Sequence, residues 1–182
     1  MNKKAHGFTI VELLIVIVVI AILATISIVT YVGIQNRARD TQRKQDVASI
    51  ARALEMYYVQ YGEYPASSGC NSTVINSAWC TDADDSWAEF RSRLSGVATG
   101  IPSDPTAGSA VTGDPLGSGN RFSYSYYSYT ESRCGAARGQ WYVLHYKLTG
   151  GSTAQVQGGD DCGTENTLTS RPNVSRHVGI KR

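Results

Sequence analysis

The sequence lacks the residue patterns on which most metal sites and hydrolytic enzymes depend. Its four cysteines form no CxxC pair and its three histidines are far apart in the chain, so no cluster has the spacing of a metal site. There is no G-x-S-x-G nucleophile elbow and no glycine-rich phosphate loop. We therefore expect no enzymatic activity, no metal and no cofactor. Asp160-Asp161 beside two glycines resembles a calcium loop, but a solvated acidic turn is the simpler interpretation.

The N-terminal segment 8–34 has almost no charge and no proline. Glu12 is its one formally charged side chain, and no proline precedes Pro65. A helix of this length can cross a hydrocarbon core of about 30 Å, whereas a strand of the same composition would aggregate. Lys3 and Lys4 precede the segment and predict a cytoplasmic N-terminus. Four basic residues follow the segment and oppose that orientation, so charge alone leaves it open: Arg37, Arg39, Arg43 and Lys44.

The position of Glu12 separates three interpretations of the apolar segment. A signal peptide has a shorter apolar region and a small-residue cleavage site, and a plain single-pass anchor needs no acid. An ionised carboxylate inside an apolar helix is costly unless it is paired or lies, solvated, at the membrane edge. If the chain is cut between Gly7 and Phe8, the new ammonium lies one helical turn from Glu12. A second subunit could supply a better-placed ammonium, which would make assembly specific in register.

The residues Gly7-Phe8-Thr9-Ile10-Val11-Glu12-Leu13 follow a short basic leader and begin the apolar segment. This arrangement resembles the type III signal of type IV pilins and pseudopilins. The resemblance implies that a prepilin peptidase cuts after Gly7, that Phe8 becomes the methylated N-terminus, and that Glu12 guides docking into a filament. The mid-segment proline of many major pilins is absent, and Val29 lies near that place.

Helical spacing continues beyond the apolar segment, over residues 35–64. Apolar residues recur there every three or four positions and form one stripe. Nothing in the segment breaks a helix before Gly62 and Pro65, so we predict a single helix of about fifty residues from Phe8. The second half should lie on its own domain through this stripe, which comprises Val47, Ile50, Leu54, Tyr57 or Tyr58, and Tyr61.

The four cysteines lie in the following segment, 65–170, which we interpret as a globular head exposed to an oxidising compartment. Three disulfide pairings are possible. Closure between neighbours in sequence favours Cys70–Cys80 and Cys134–Cys162. Residues 66–120 are rich in serine, glycine and proline, which predicts a partly ordered loop region with one short helix near Ser86–Leu94.

Alternating residues predict strands at 122–129 and 141–148, with a third candidate at 152–157. The expected fold is therefore α+β: a long N-terminal helix packed on a small antiparallel sheet, with a disulfide-closed C-terminal region like that of pilins. Residues 171–182 are basic and predict a mobile, solvated tail. An acidic partner such as DNA is a weaker interpretation of that tail.

The sequence thus indicates a leader at 1–7 and a structural subunit of a type IV pilus-like filament. The resemblance implies four partners: identical subunits in a helical polymer, the prepilin peptidase, the pilus assembly platform, and the inner membrane before assembly at the cell surface. One alternative is a pseudopilin of a type II secretion or DNA-uptake system. Another, of a different class, is a membrane-anchored extracytoplasmic binding domain.

Overall fold

The computed structural model describes residues 8–107, 122–128, 136–149, 156–158 and 174–180, except for the side chains of residues 29, 30, 156–158, 176 and 180. The chain divides after Ala38 into two units. Helix α1 runs from Ile10 to Tyr61, 52 residues in all, so the predicted long helix is confirmed. We call the unit that begins at Arg39 the head.

Helix α1 ends at Gly62, as the sequence predicts. Gly62 has a φ of +77°, a left-handed conformation that glycine adopts without steric cost. Its N–H donates to the Tyr58 carbonyl at 2.8 Å and closes the last turn. The Tyr64 N–H then donates to the Gly139 carbonyl at 2.7 Å, which ties the end of the helix to the turn before a strand.

The described residues of the head form a five-stranded sheet and a second helix. The strand order is β1-β2-β3-β5-β4. The β1–β2, β2–β3 and β3–β5 pairs are antiparallel, and the short β4 is parallel to β5. The predicted α+β fold is thereby confirmed. The elements, in chain order, are β1 (Cys80–Thr81), α2 (Ser86–Leu94), β2 (Ser125–Ser128), β3 (Trp141–Tyr146), β4 (Val156–Gly158) and β5 (Ser175–Ile180).

The basic tail expected at 171–182 is corrected by the structure over Ser175–Ile180. These six residues form β5, and each pairs with a residue of β3 between Trp141 and Tyr146. Backbone pairing along the whole strand outweighs the charges in this segment, because a strand between two neighbours satisfies its N–H and C=O groups on both sides. The third predicted strand overlaps β4 at Val156 and Gln157, and residues 152–155 lie outside the described part of the chain.

The inner face of the sheet packs against the apolar stripe of α1. Val47, Ile50 and Leu54 are fully buried in one cluster with this face, as the helical spacing predicts. Tyr57 and Tyr58 are partly buried against the cluster, while Tyr61 remains half exposed. The residues of the inner face are Tyr124 and Tyr126 from β2 and its approach, and Tyr142, Leu144 and Tyr146 from β3.

The outer face of the sheet has a smaller apolar cluster of its own. Trp79 packs there with Trp141, Val143 and Val178, and its ring lies 4.9 Å from that of Tyr127. The segment that carries Trp79 was expected to be a partly ordered loop. Its described part covers the sheet, because Trp79 brings a large apolar surface that is stable only when buried.

A buried guanidinium connects three parts of the head. Arg43 of α1 is 1% exposed, and its Nε donates to Asp104 Oδ2 at 2.7 Å. Its Nη1 donates both to Asp40 Oδ1 at 2.8 Å and to Thr149 Oγ1 at 3.2 Å. The guanidinium lies 4.1 Å from the centre of the Phe122 ring. The sequence suggested only a charge next to the membrane for Arg43. In the structure, Arg43 joins α1 to the loop after α2 and to the end of β3.

The partly buried carboxyl of Asp82 predicts a pH-dependent stability. It accepts the N–H groups of Asp104 at 2.6 Å and Tyr124 at 2.8 Å. Burial raises the pKa of Asp82 to about 7, against the lowering effect of these two donors and of Arg91. The folded head therefore binds this proton more tightly than the unfolded chain does. This stabilisation is complete below about pH 4 and is lost as the pH rises toward 7.

We expect the free energy of unfolding to fall by a few kcal/mol between about pH 4 and pH 7, because each unit of pKa shift corresponds to roughly 1.4 kcal/mol. Urea unfolding of the full chain in detergent, followed by tryptophan fluorescence, measures it. Asp82→Asn should flatten this part of the profile. Asp84→Asn is the matched control: hydrogen bonds from Ser86, Ser72 and Thr73 outweigh burial and lower the pKa of Asp84, so its effect lies in the acid range. A profile unchanged by Asp82→Asn would contradict the assignment.

Candidate assembly site

The N-terminus of α1 is closed by a reciprocal pair of hydrogen bonds between Thr9 and Glu12. The Glu12 N–H donates to Thr9 Oγ1 at 3.3 Å, and the Thr9 N–H donates to Glu12 Oε2 at 2.8 Å. The Thr9 hydroxyl also donates to Oε2, at 2.7 Å. This is a capping box, in which a threonine and a glutamate three residues later each satisfy a free N–H at the start of a helix.

The capping box changes the interpretation of Glu12 within a single chain. The sequence predicts an ammonium at Phe8 or in a second subunit as its partner, whereas in the structure its partner is Thr9. None of the three bonds of the box involves Glu12 Oε1, and no described residue donates a hydrogen bond to this oxygen. One carboxylate oxygen is thus held toward the start of the helix while the other can accept a further donor. Gly7, the expected cleavage position, lies outside the described residues.

The part of α1 that lies in the first unit of the chain has a solvent-exposed apolar surface. Phe8 is 84% exposed, and every large apolar residue described from Ile10 to Ile34 is at least about half exposed. By length and composition, this helix could cross a membrane. The hydroxyls of Thr25 and Ser27 donate to carbonyls of the preceding turn at 2.8–2.9 Å. Their polarity is therefore satisfied within the helix, and the surface is apolar in practice.

Comparison with known proteins agrees with this N-terminal arrangement. A family model described as the prokaryotic N-terminal methylation motif matches residues 2–28. The chain is 28% identical to a fimbrial protein of Neisseria meningitidis over 116 residues, 64% of this chain and 66% of that protein. It is 25% identical to the type II secretion system core protein G of Aeromonas hydrophila over 104 residues, 57% of this chain and 69% of that protein.

A third relative is the major component of the type IV wide pilus of Thermus thermophilus. It is 36% identical over 80 residues, which are 41% of this chain and 61% of that protein. The chain thus spans about two thirds of the length of these relatives, or less. No solved structure matches it. The methylation motif and these relatives support the type IV pilin and pseudopilin family for this chain.

The head contains a disulfide where the sequence predicts one. Cys70 and Cys80 are bonded, with Cα atoms 5.1 Å apart, and they enclose the segment that covers the outer face of the sheet. Asp84, which follows that segment, holds it from outside: its Oδ2 accepts bonds from Ser72 Oγ and from the N–H of Thr73, both at 2.8 Å. The disulfide and Asp84 therefore fix the same loop. The other expected pair, Cys134 and Cys162, lies outside the described residues, as does Asp160-Asp161.

Thr9 is the site residue that the sequence analysis missed. The signal was present, because a threonine followed three residues later by glutamate at the start of an apolar run is the sequence form of a capping box. The resemblance to the pilin motif assigns roles to Phe8 and Glu12 but none to Thr9. Among the described residues, no group of three or more acidic, histidine or cysteine side chains could hold a metal ion.

Proposed function

We propose that this chain is a structural filament subunit that is made as a membrane precursor and cut between Gly7 and Phe8. In this proposal the new N-terminus at Phe8 is methylated, and the apolar segment 8–34 packs with those of identical subunits into a helical polymer. Glu12 accepts the N-terminal ammonium of a neighbouring copy. The prepilin peptidase, the assembly platform and the inner membrane are the partners before the filament reaches the cell surface.

One observation carries this proposal: a long helix exposes an unbroken apolar surface and holds one carboxylate at its start. Such a surface is stable in lipid or among other apolar helices but not in water. Of these two surroundings, only a bundle of identical subunits brings a complementary charge, the ammonium created by cleavage. Pairing inside the bundle removes the cost of burying Glu12, so correctly staggered copies are favoured over misaligned ones.

Three variants separate the charge of Glu12 from its capping role. Glu12→Gln keeps both acceptor and donor roles of the capping box but removes the charge. Thr9→Val removes the cap and keeps the charge, and a lost cap costs only about 1 kcal/mol. We expect Glu12→Gln and Glu12→Ala to reduce assembled filaments by more than tenfold, since an unpaired partner charge costs about 3–5 kcal/mol. Thr9→Val should reduce them much less.

Quantitative immunoblotting of sheared filaments against total cellular subunit measures assembly in each variant. N-terminal sequencing of the same subunit pool is the control, and it should give a start at Phe8 in all three. Normal filament yield in Glu12→Gln would contradict the docking role of the charge. An uncut N-terminus in the unmodified chain, with no polymer, would instead support the anchored binding domain.

A second candidate is a pseudopilin that forms a short periplasmic fibre. The type II secretion relatives favour it, as does the absence of a proline within the apolar segment. Electron microscopy of cells with an antibody against the head distinguishes the two. Long labelled surface filaments support the pilus, whereas label confined to the envelope supports the pseudopilin.

A further inference from the structure

In the stretch of α1 that follows the apolar segment, every cation except the buried Arg43 is exposed, whereas both acids are partly buried. Arg39 and Lys44 are exposed. The two acids of the same stretch are bonded within the head: Asp40 accepts the Thr149 N–H at 2.9 Å as well as Arg43, and Asp46 accepts the Tyr124 hydroxyl at 2.8 Å. The stretch has four basic residues and two acids, and because both acids are bonded within the head, its exposed charges are all positive.

The outward cations are not used by the ion pairs of the folded head. No ion pair in the described parts of the chain includes Arg39 or Lys44. Arg43, which lies between them in the sequence, forms ion pairs with Asp40 and Asp104. Arg37 is exposed as well but already has an interaction of its own. A surface with two uncompensated cations fits an anionic partner.

The position of these cations along the helix identifies that partner. With a rise of about 1.5 Å per residue, Arg39 follows Ile34, the last residue of the apolar segment, by about 7 Å and Lys44 by about 15 Å. Long basic side chains at such distances reach the headgroup layer that borders the hydrocarbon core. Arg52, another exposed cation of α1, follows Ile34 by about 27 Å, which is beyond the screening length of about 8–10 Å from that layer.

We propose that Arg39 and Lys44 bind anionic phospholipid headgroups while the subunit is held in the membrane. This inference rests on the proposed function in that it requires a membrane-inserted stage. The headgroups concerned are those at the end of the apolar segment opposite Lys3 and Lys4. The contact holds the start of the head at the membrane surface and is released when the subunit moves into a filament.

The test uses the full chain in vesicles of phosphatidylcholine alone and of an equal mixture with phosphatidylglycerol. An amine-reactive reagent modifies Lys44, and mass spectrometry measures the rate at that position. We expect modification to be about fivefold slower in the anionic vesicles, corresponding to the electrostatic attraction of one cation near such a surface. High salt should remove the difference, since it screens exposed charges.

A matched control comes from the same helix. The lysine that Arg52→Lys introduces lies beyond the screening length, and it should be modified at equal rates in both kinds of vesicle. Equal rates at Lys44 would overturn the proposal, and so would an equal slowing at both positions, which would show only a general effect of the anionic surface.

A filament assay separates this inference from the proposed function. The double variant Arg39→Gln, Lys44→Gln should still be cut at Phe8 and should still form filaments. Hydroxyl-radical labelling of the α1 stretch should slow with phosphatidylglycerol in the unmodified chain and should not change with it in the double variant. If lipid dependence is absent in the unmodified chain and filaments form, the lipid contact fails alone. If the unmodified chain is neither cut nor polymerised, the proposed function fails.

Discussion

Arg43→Met is expected to lower the free energy of unfolding of the head by about 3–5 kcal/mol. The Asp104 side chain is fully buried and its carboxylate bonds to the Arg43 Nε at 2.7 Å. Methionine fills much of the volume but leaves this carboxylate without its cation, and an uncompensated charge in the interior is costly. The same change removes a bond to Asp40 and the contact with the Phe122 ring.

Urea unfolding of the full chain in detergent measures this loss, with the three tryptophans of the head as fluorescent probes. Lys44→Met is the matched control, because Lys44 is the next residue on the same helix and is exposed. It should change stability by less than about 0.5 kcal/mol. Arg43→Lys keeps the charge but cannot bond to two carboxylates as a planar fork, so an intermediate loss is expected. Equal stability of Arg43→Met and Lys44→Met would show that the buried pair contributes nothing.

Gly179→Ala is expected to destabilise the head by about 3 kcal/mol. A Cβ at this position of β5 would lie 2.0 Å from Cε1 of Tyr142, far inside van der Waals contact. The Tyr142 ring is fully buried and packs edge-on against Tyr64, with ring centres 4.7 Å apart. Either the ring leaves its packed position or β5 separates from β3, and overpacking of this kind costs about 1–3 kcal/mol or more.

Gly96→Ala is the control for this substitution. A Cβ there would meet its nearest neighbour, the Tyr61 hydroxyl, at 3.4 Å, an ordinary contact. We expect its midpoint in urea to stay within the range of a neutral surface change. Hydrogen exchange of the β3 and β5 amides provides a second measurement, and it should accelerate in Gly179→Ala only. If the two glycine variants unfold at the same urea concentration, the close approach of Tyr142 is not a constraint on folding.

Local signals in the sequence were enough for the helices. The long α1 follows from an unbroken helical spacing without proline, and α2 was predicted at Ser86–Leu94, where the structure has it. The stripe of Val47, Ile50 and Leu54 and the inward alternation of β3 also follow from side-chain period alone. These features depend on residues close together in the chain, so each segment contains the information needed to recognise it.

Contacts between distant segments were beyond the sequence analysis. Arg43 and Asp104 are separated by 61 positions, and nothing near either residue indicates the other. The sequence predicts a solvated tail where the structure has β5, because basic residues flank this strand and its pairing with β3 joins residues more than 28 positions apart. Likewise, nothing near Asp40 or Asp46 in the sequence indicates that the fold bonds them to Thr149 and Tyr124.

The amino-acid sequence by itself determined the N-terminal helix of this chain: an apolar helix with a single glutamate after a glycine and an aromatic residue, all within the matched N-terminal methylation motif. Length, period and motif are local properties, and a helix satisfies its own backbone. Only the tertiary structure decided which charges of the head are buried, which remain on the surface, and which segment completes the sheet. Those outcomes depend on the three-dimensional proximity of groups far apart in the chain, since a charge is stable in the interior only where the fold brings it a partner.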